Sequence, residues 1–119
     1  KMAKLYHNPR CSKSRQALAL LTESGNDFSQ VLYLHEGISE STLLDLINRL
    51  KGEVRDLIRT GQKEFRESTF LINELDDTEV VCQLIIQFPI LLQRPLFDDG
   101  EVVYIGRPPE NILTSSFFL

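Results

Sequence analysis

The order of the predicted strands and helices is the feature that most constrains the fold of this chain. Residues 3–7 (AKLYH) are a strand candidate, and Asn8-Pro9 ends it with a turn. Apolar residues then recur at helical spacing over residues 12–24, and Gly25 follows. Residues 28–34 (FSQVLYL) are rich in strand-forming side chains. If the two strands pair in parallel, these segments make a right-handed β-α-β unit.

The middle of the chain, over residues 39–88, is predicted to be mostly helical. Two segments carry apolar residues at helical spacing. The first ends before residue 54, and the second ends near Pro89. Between them, residues 54–61 (VRDLIRTG) are predicted as a short helix that ends at a glycine. The first face is Leu43, Leu46, Ile47 and Leu50 with Ser39 or Ser41 as cap, and the second is Val80, Val81, Leu84, Ile85 and Phe88 with Asp77 or Thr78 as cap.

The end of the chain is predicted to form a β-hairpin and a last short helix. Residues 94–97 (RPLF) and 101–105 (EVVYI) flank Asp98-Asp99-Gly100, which is typical of a hairpin turn. Residues 109–113 would form the last helix. The order β-α-β, helices, β-β-α indicates an α/β protein with a thioredoxin-like fold and a helical insertion, in one domain over residues 1–119.

Length, charge and cysteine content exclude several classes of protein. A chain of 119 residues is long enough for one hydrophobic core. Its net charge of −4 argues against a nucleic-acid or membrane-surface binder, which needs a basic face. No apolar run reaches the roughly 20 residues of a membrane span, and no secretory signal is visible. Cys11 and Cys82 are too few for a disulfide framework, so we expect a reducing, cytoplasmic location.

Cys11 carries the strongest indication of chemistry. It lies at the predicted start of the first helix, where backbone N–H groups lack partners and the helix end carries about +0.5 of a charge. Arg10, Lys13 and Arg15 add positive charge nearby. A thiolate is stabilised in such a place, so we predict a nucleophilic cysteine with a pKa below the ordinary value of about 8.5. The alternative is an inert small side chain at a loop–helix junction.

The residues around Cys11 indicate what that thiol can use. Ser14 stands where dithiol oxidoreductases have the second cysteine of C-x-x-C. Disulfide chemistry would therefore need an external thiol or the distant Cys82, which we predict to be buried and inert. His7 could support Cys11 by a hydrogen bond or by charge, or it could be a local structural contact, and the residue alone leaves both open.

Three arginines, Arg59, Arg94 and Arg107, lie at the ends of predicted elements. Taken alone, each of these arginines is most simply interpreted as a solvent-exposed charged side chain. If they converged on Cys11, they would form an oxyanion clamp, because guanidinium groups match oxyanions in geometry and charge. Their spacing in the sequence does not establish that convergence. The two histidines and two cysteines are scattered, so the sequence predicts no metal site.

Four segments together resemble the ArsC family, the glutaredoxin-coupled arsenate reductases and their relatives. They are YHNPRCSKSRQAL at residues 6–18, LIRTGQKEF at 57–65, FPILLQRPL at 88–96 and IGRPPENIL at 105–113. The resemblance spans residues 5–113, with the motifs in the family's order and at its separations. It implies a thioredoxin-like fold with a helical insertion, in agreement with the predicted element order.

The resemblance also implies a reaction and a site. The thiolate would attack arsenate, glutathione and glutaredoxin would complete its reduction to arsenite, and glutathione would be a co-substrate with no bound cofactor or metal. The peptide bond between Arg94 and Pro95 is implied to be cis. The implied site residues are Cys11 as the catalytic cysteine, His7 as its support, Arg59, Arg94 and Arg107 as the oxyanion ligands, and Ser14 and Pro95 as secondary residues.

Two departures from the better-known arsenate resistance enzymes leave the substrate open. The run after Arg59 lacks their Lys-Asn-x-x-Pro-Tyr-like pattern, and the sequence stops soon after residues 110–113 (ENIL), where they are longer. Both features suit a shorter branch of the family. One alternative is a glutathione-linked thiol oxidoreductase without an arsenate role. The other is an Spx-like redox regulator that binds a partner such as RNA polymerase, although Ser14 argues against it because those proteins usually have C-x-x-C.

Overall fold

The computed structural model describes residues 2–119 and contains a five-stranded mixed sheet at its centre. The spatial order of the strands is β2-β1-β4-β5-β3. The pairs β1–β2 and β3–β5 are parallel, and the pairs β1–β4 and β4–β5 are antiparallel. The strands are β1 (Ala3–Tyr6), β2 (Phe28–Val31), β3 (Leu50–Lys51), β4 (Leu96–Asp98) and β5 (Val103–Ile105).

Helices and short 3-10 turns surround this sheet. The side chain of Ser39 caps one helix by accepting the Thr42 N–H, and Asp77 caps another by accepting the Glu79 N–H, which confirms both predicted caps. The α-helices are α1 (Ser12–Glu23), α2 (Tyr33–Glu36), α3 (Glu40–Asn48), α4 (Lys63–Glu67) and α5 (Thr78–Gln87), and the 3-10 turns are Val54–Leu57, Ile72–Glu74, Pro89–Leu91, Pro109–Thr114 and Ser116–Phe118.

Both faces of the sheet are buried. Successive strand residues point to opposite faces, and each face packs against its own set of helices or turns. Leu5 and Phe97 belong to one core with residues of α1 and of the turn at Pro109–Thr114. Their neighbours in the strands, Tyr6 and Leu96, belong to a second core with residues of α3 and α5. The molecule therefore has three layers, with the sheet in the middle. It has the predicted thioredoxin-like architecture, in which β2 and β1, connected by α1, form one edge of the sheet. No helix within residues 2–119 has the length and apolar character that crossing a membrane requires.

The second predicted strand is too long by three residues. Strand β2 ends at Val31, and α2 begins at Tyr33, where strand geometry had been expected. The Glu36 carboxylate accepts the N–H of Leu32 at 3.1 Å, so a side chain supplies the partner that a neighbouring strand would have given. This local bond starts a helical turn that strand propensity alone does not predict.

Two predictions for the insertion are corrected by pairing between distant segments. Leu50 is not on the face of α3 but in β3, opposite Val103. Helical geometry in residues 54–61 covers only Val54–Leu57, because Ile58 forms a bridge with Leu92. Long-range partners thus override the helical spacing of both segments, and the insertion contains a strand as well as helices.

A partly buried ion pair connects the sheet to the residue that follows α3. The Arg49 guanidinium donates to both carboxylate oxygens of Asp98, at 2.6 and 2.8 Å, and the Gly100 N–H donates to the same carboxylate at 2.8 Å. Burial raises the pKa of Asp98, but the bonds from Arg49 and Gly100 outweigh burial and hold it below its ordinary value. The ionised carboxylate is therefore the form that the fold stabilises.

We expect Asp98→Asn to lower the free energy of unfolding by about 2 kcal/mol at neutral pH, because it removes charge-assisted bonds to Arg49. The folded pKa of Asp98 is lowered, so this stabilisation is present above the unfolded pKa of about 3.9 and is lost as the pH falls through the folded pKa. Urea unfolding at neutral and acidic pH measures both effects. Asp76→Asn is the control, since its 2.7 Å ion pair with Arg55 is exposed. Equal losses in the two variants would contradict the assignment.

Candidate active site

The loop between β1 and α1 places Cys11 at the first turn of the helix. The Asn8 carbonyl accepts the Cys11 N–H at 3.0 Å, and the Asn8 side chain accepts the Arg10 N–H at 3.0 Å. The Arg15 guanidinium closes the loop from the helix by donating to the Pro9 carbonyl at 2.9 Å. Cys11 itself has extended backbone angles, φ −94° and ψ 123°, as expected for the residue that precedes a helix.

The surroundings of Cys11 favour its thiolate. Burial, which leaves the residue 7% exposed, raises the pKa of the thiol. The backbone N–H of Ser14, the guanidinium of Arg94 and the backbone N–H of Lys13 lower that pKa, and together they outweigh burial. The net result is a pKa below the ordinary value, in a thiol that is nearly covered by protein.

Two of the three arginines lie at this thiol. Arg107 Nη1 is 3.6 Å from Cys11 Sγ and donates to the Arg94 carbonyl at 3.4 Å. The Nε and Nη1 atoms of Arg94 are buried, and neither has an acceptor among residues 2–119. The peptide bonds Arg94–Pro95 and Arg107–Pro108 are both cis, the first as the resemblance implied. The site therefore offers a thiol and guanidinium donors with free capacity, which suits an oxyanion.

The third arginine reaches the same region from another side. Arg59 and Arg107 line one cavity of about 490 Å³. The Arg59 guanidinium donates to the Ile90 carbonyl at 3.3 Å, and the amide oxygen of Gln62, in its favoured orientation, accepts from Nη1 and Nη2 at 2.6 and 2.9 Å. In this state Arg59 is held by Gln62 rather than by Cys11, so its part in the clamp stays a prediction. Sequence reasoning missed Gln62, which carries no signal beyond being polar.

His7 contacts the cysteine loop through Ser14. His7 is buried, and its Nδ1 lies 2.6 Å from Ser14 Oγ, which also accepts the Asn8 N–H at 3.0 Å. Burial and the charge of Arg15 hold the pKa of His7 below its ordinary value. At neutral pH the imidazole is therefore uncharged, and its Nδ1 can accept the Ser14 hydroxyl proton. Of the two kinds of support predicted for Cys11, this geometry suits hydrogen bonding and not charge.

We expect His7→Ala to raise the pKa of Cys11 in a folded protein, because it loosens Ser14, whose N–H lowers that pKa. Ser14→Ala should act in the same direction. Since both act through one hydrogen bond, the double variant should change the pKa no more than the larger single change. The rate of alkylation against pH measures each pKa. An unchanged thiol titration in folded His7→Ala would leave His7 with a structural role alone.

Cys82 has the opposite environment. It lies in α5 and is 1% exposed. Burial, then the charges of Glu40 and Glu79, raise the pKa of its thiol. Within residues 2–119, no three His, Cys, Asp or Glu side chains are placed to hold a metal ion. Cys82 is thus buried and favours its protonated form, so it does not suit the role of a resolving thiol.

Alkylation should therefore separate the two thiols. We expect Cys11 to react at a pH below the ordinary titration range of a cysteine and Cys82 to react only when the protein unfolds. Mass mapping after brief treatment with iodoacetamide across a pH series measures this order. Modification of Cys82 before Cys11 would show that the thiolate has been assigned to the wrong residue.

Comparison with known proteins places this geometry among related chains. The ArsC family model matches residues 6–115. A protein from Escherichia coli strain K12, called uncharacterized protein YfgD, is 39% identical over 114 residues, which is 95% of each chain. A protein named arsenate reductase from Haemophilus influenzae is 34% identical and covers 92% of this chain and 94% of its own. The solved arsenate reductase from Vibrio cholerae has a TM-score of 0.82 at 30% identity, over 95% of this chain and 96% of that one.

Proposed function

The chain belongs to the ArsC family, and from that premise we propose that it is an oxidoreductase that reduces arsenate to arsenite through Cys11. The observation that carries the proposal is the contact of Arg107 with the Cys11 sulfur at 3.6 Å, beside Nε and Nη1 of Arg94, which have no acceptor within residues 2–119. A thiolate nucleophile and an anion site share one place. Glutathione is the proposed co-substrate and glutaredoxin the proposed partner, in the reducing cytoplasm that keeps both in thiol form.

The first step joins sulfur to arsenic. Arg94 and Arg107 bind the oxygens of arsenate and offset the charge that repels the incoming thiolate. The Cys11 thiolate forms a bond to arsenic, and one oxygen leaves as water after taking up protons. Arsenic stays pentavalent in this step, because no electron pair has moved to it.

The reduction needs two external thiols. Glutathione displaces a second oxygen as water, so arsenic is bonded to both sulfurs. A glutaredoxin thiolate then attacks the glutathione sulfur. The arsenic–glutathione bond breaks, its electron pair stays on arsenic as As(III), and the two attacking thiols end as a mixed disulfide. Water cleaves the remaining bond, which releases arsenite and restores Cys11. The serine at position 14 and the burial of Cys82 support this use of outside thiols.

A second candidate is a glutathione-linked thiol oxidoreductase without an arsenate role. The observation that favours it is the state of Arg59, whose guanidinium is occupied by Gln62 and Ile90. The guanidinium donors of Arg94 and Arg107 at the thiol also suit exchange with a glutathione disulfide, which needs no third oxyanion ligand. The same Cys11 thiolate serves both candidates, so they differ in substrate and not in nucleophile.

A coupled assay separates the two candidates. Purified protein is mixed with arsenate, glutathione, glutaredoxin, glutathione reductase and NADPH, and NADPH oxidation is followed. Arsenate reduction predicts oxidation that requires every component and that is matched by arsenite formed. No arsenate-dependent oxidation, together with formation of a mixed disulfide at Cys11 from oxidised glutathione, would support the second candidate and contradict the first.

A further inference from the structure

The Arg59 side chain is held by two oxygen atoms of the protein. In its favoured orientation, the Gln62 amide oxygen accepts from Nη1 at 2.6 Å and from Nη2 at 2.9 Å. The Ile90 carbonyl accepts from Nη1 at 3.3 Å. A guanidinium binds an oxyanion through a pair of parallel N–H donors. Because one amide oxygen takes both terminal nitrogens of Arg59, Gln62 occupies donors that an oxyanion would use.

The backbone around this contact is fixed, so the side chains are the parts that can change partners. The Arg59 N–H donates to the Leu91 carbonyl at 2.8 Å, and the residue before it, Ile58, is bridged to Leu92. The Arg59 carbonyl accepts the Gln62 N–H at 3.1 Å, which closes a four-residue turn and brings the two side chains together. Both side chains are partly exposed, so the guanidinium can turn to another acceptor while the turn stays intact.

A cavity of about 490 Å³ connects this turn with the thiol arginine Arg107. Arg59, Gln62 and Arg107 all line it. Cys11 is not a lining residue, but Arg107 Nη1 is 3.6 Å from Cys11 Sγ, so Arg107 is shared by the cavity and the thiol. The open space between Arg59 and Arg107 therefore gives the Arg59 guanidinium a path toward an anion that Arg107 holds.

Gln62 and an oxyanion compete for the same donors. A hydrogen bond from a guanidinium to an ionised acceptor is stronger than one to a neutral amide, so an anion is the better acceptor for Arg59. The bonds to Gln62 must break first, and that cost lowers the affinity for the anion. Resting on the proposed function, we propose that Gln62 is a positioning residue that keeps Arg59 out of the anion site until an oxyanion at Arg107 replaces the amide oxygen as its acceptor.

Two substitutions of Gln62 should shift anion binding in opposite directions. Gln62→Met keeps the length of the side chain but removes the amide, so Arg59 is released. Sulfate should then protect Cys11 from iodoacetamide at about 5-fold lower concentration, the change expected for one net hydrogen bond. Gln62→Glu gives Arg59 an ionised acceptor, so protection should need about 5-fold more sulfate. A residue that only supports the loop would weaken protection in both variants.

Two controls separate this contact from general charge and from loop damage. Gln83 is exposed on α5 and does not line the cavity, so Gln83→Glu adds the same charge and should leave protection by sulfate unchanged. In an Arg59→Ala background, Gln62→Met should have no effect, because the two side chains act through one contact. In the coupled assay, Gln62→Met should lower the KM for arsenate and leave kcat nearly unchanged, since Arg59 is released before the chemical step.

Three results would overturn the proposal: shifts of protection in the same direction in Gln62→Met and Gln62→Glu, an equal shift in Gln83→Glu, or an effect of Gln62→Met that persists without Arg59. Protection by sulfate involves no reduction. Opposite shifts in a protein that does not reduce arsenate would therefore retain the role of Gln62 and lose the proposed reaction. Arsenate reduction with unchanged protection in both Gln62 variants would do the reverse.

Discussion

Cys11→Ser should lower arsenate reduction by at least about 10³-fold, because a serine hydroxyl stays protonated at the pH where the Cys11 thiol is ionised. The donors that lower the pKa of Cys11, from Ser14, Arg94 and Lys13, remain in the variant but have no thiolate to stabilise. The loss belongs to bond formation with arsenic and not to binding. Arsenate should therefore still bind to Cys11→Ser.

The matched control is Cys82→Ala, which removes the other thiol from a buried position in α5. We expect it to lower stability, since it leaves a small cavity, and to retain the activity of the folded fraction. The coupled assay and a urea titration on the same preparations measure activity and stability. Activity that survives in Cys11→Ser but is lost in folded Cys82→Ala would mean that the nucleophile is Cys82.

The second large effect is expected at the arginines of the thiol. Arg107→Ala and Arg94→Ala should each lower kcat/KM for arsenate roughly 10- to 150-fold, the loss expected from a charge-assisted hydrogen bond of about 1.5–3 kcal/mol. Stability should change little for Arg107, which among residues 2–119 donates only to the Cys11 sulfur and, at 3.4 Å, to the Arg94 carbonyl. Lysine should rescue poorly, because an ammonium lacks the paired donors of a guanidinium.

Anion protection gives an independent measurement of this clamp. Arsenate or sulfate should slow alkylation of Cys11 in the wild type and protect Arg107→Ala much less. Arg66→Ala is the control, since Arg66 is an exposed arginine whose guanidinium donates to the Gly61 carbonyl. Normal arsenate reduction in both Arg94→Ala and Arg107→Ala would remove the clamp from the mechanism. An equal loss of anion protection in Arg66→Ala would mean that the effect comes from the overall charge of the protein and not from a specific site.

Local patterns predict those parts of the fold that are decided within a few residues. The caps at Ser39 and Asp77 belong to this class, as does the hairpin around Gly100, whose φ of 100° suits glycine. The errors lie where a partner is distant in sequence. Leu50 has helical spacing with Leu46, yet its pairing with Val103 decides its structure.

The same distinction applies to the site. The start of α1 and its flanking cations are local, and they identify Cys11 as a thiolate candidate without a structure. The contact between Arg107 and Cys11 joins residues 96 positions apart, which no spacing reveals. The bond from Arg59 to Gln62 is short in sequence, but only the folded loop turns the amide toward the guanidinium.

The hydrogen bond between His7 and Ser14 has an evolutionary consequence. A single substitution, Ser14→Cys, would give this chain the dithiol motif of self-contained redox proteins. Ser14 Oγ, however, is buried, accepts the Asn8 N–H and pairs with His7, and a sulfur atom is a weak hydrogen-bond partner in that position. Under the proposed reaction, the substitution that would replace an outside thiol with one of the protein's own would therefore also loosen the loop that holds Cys11.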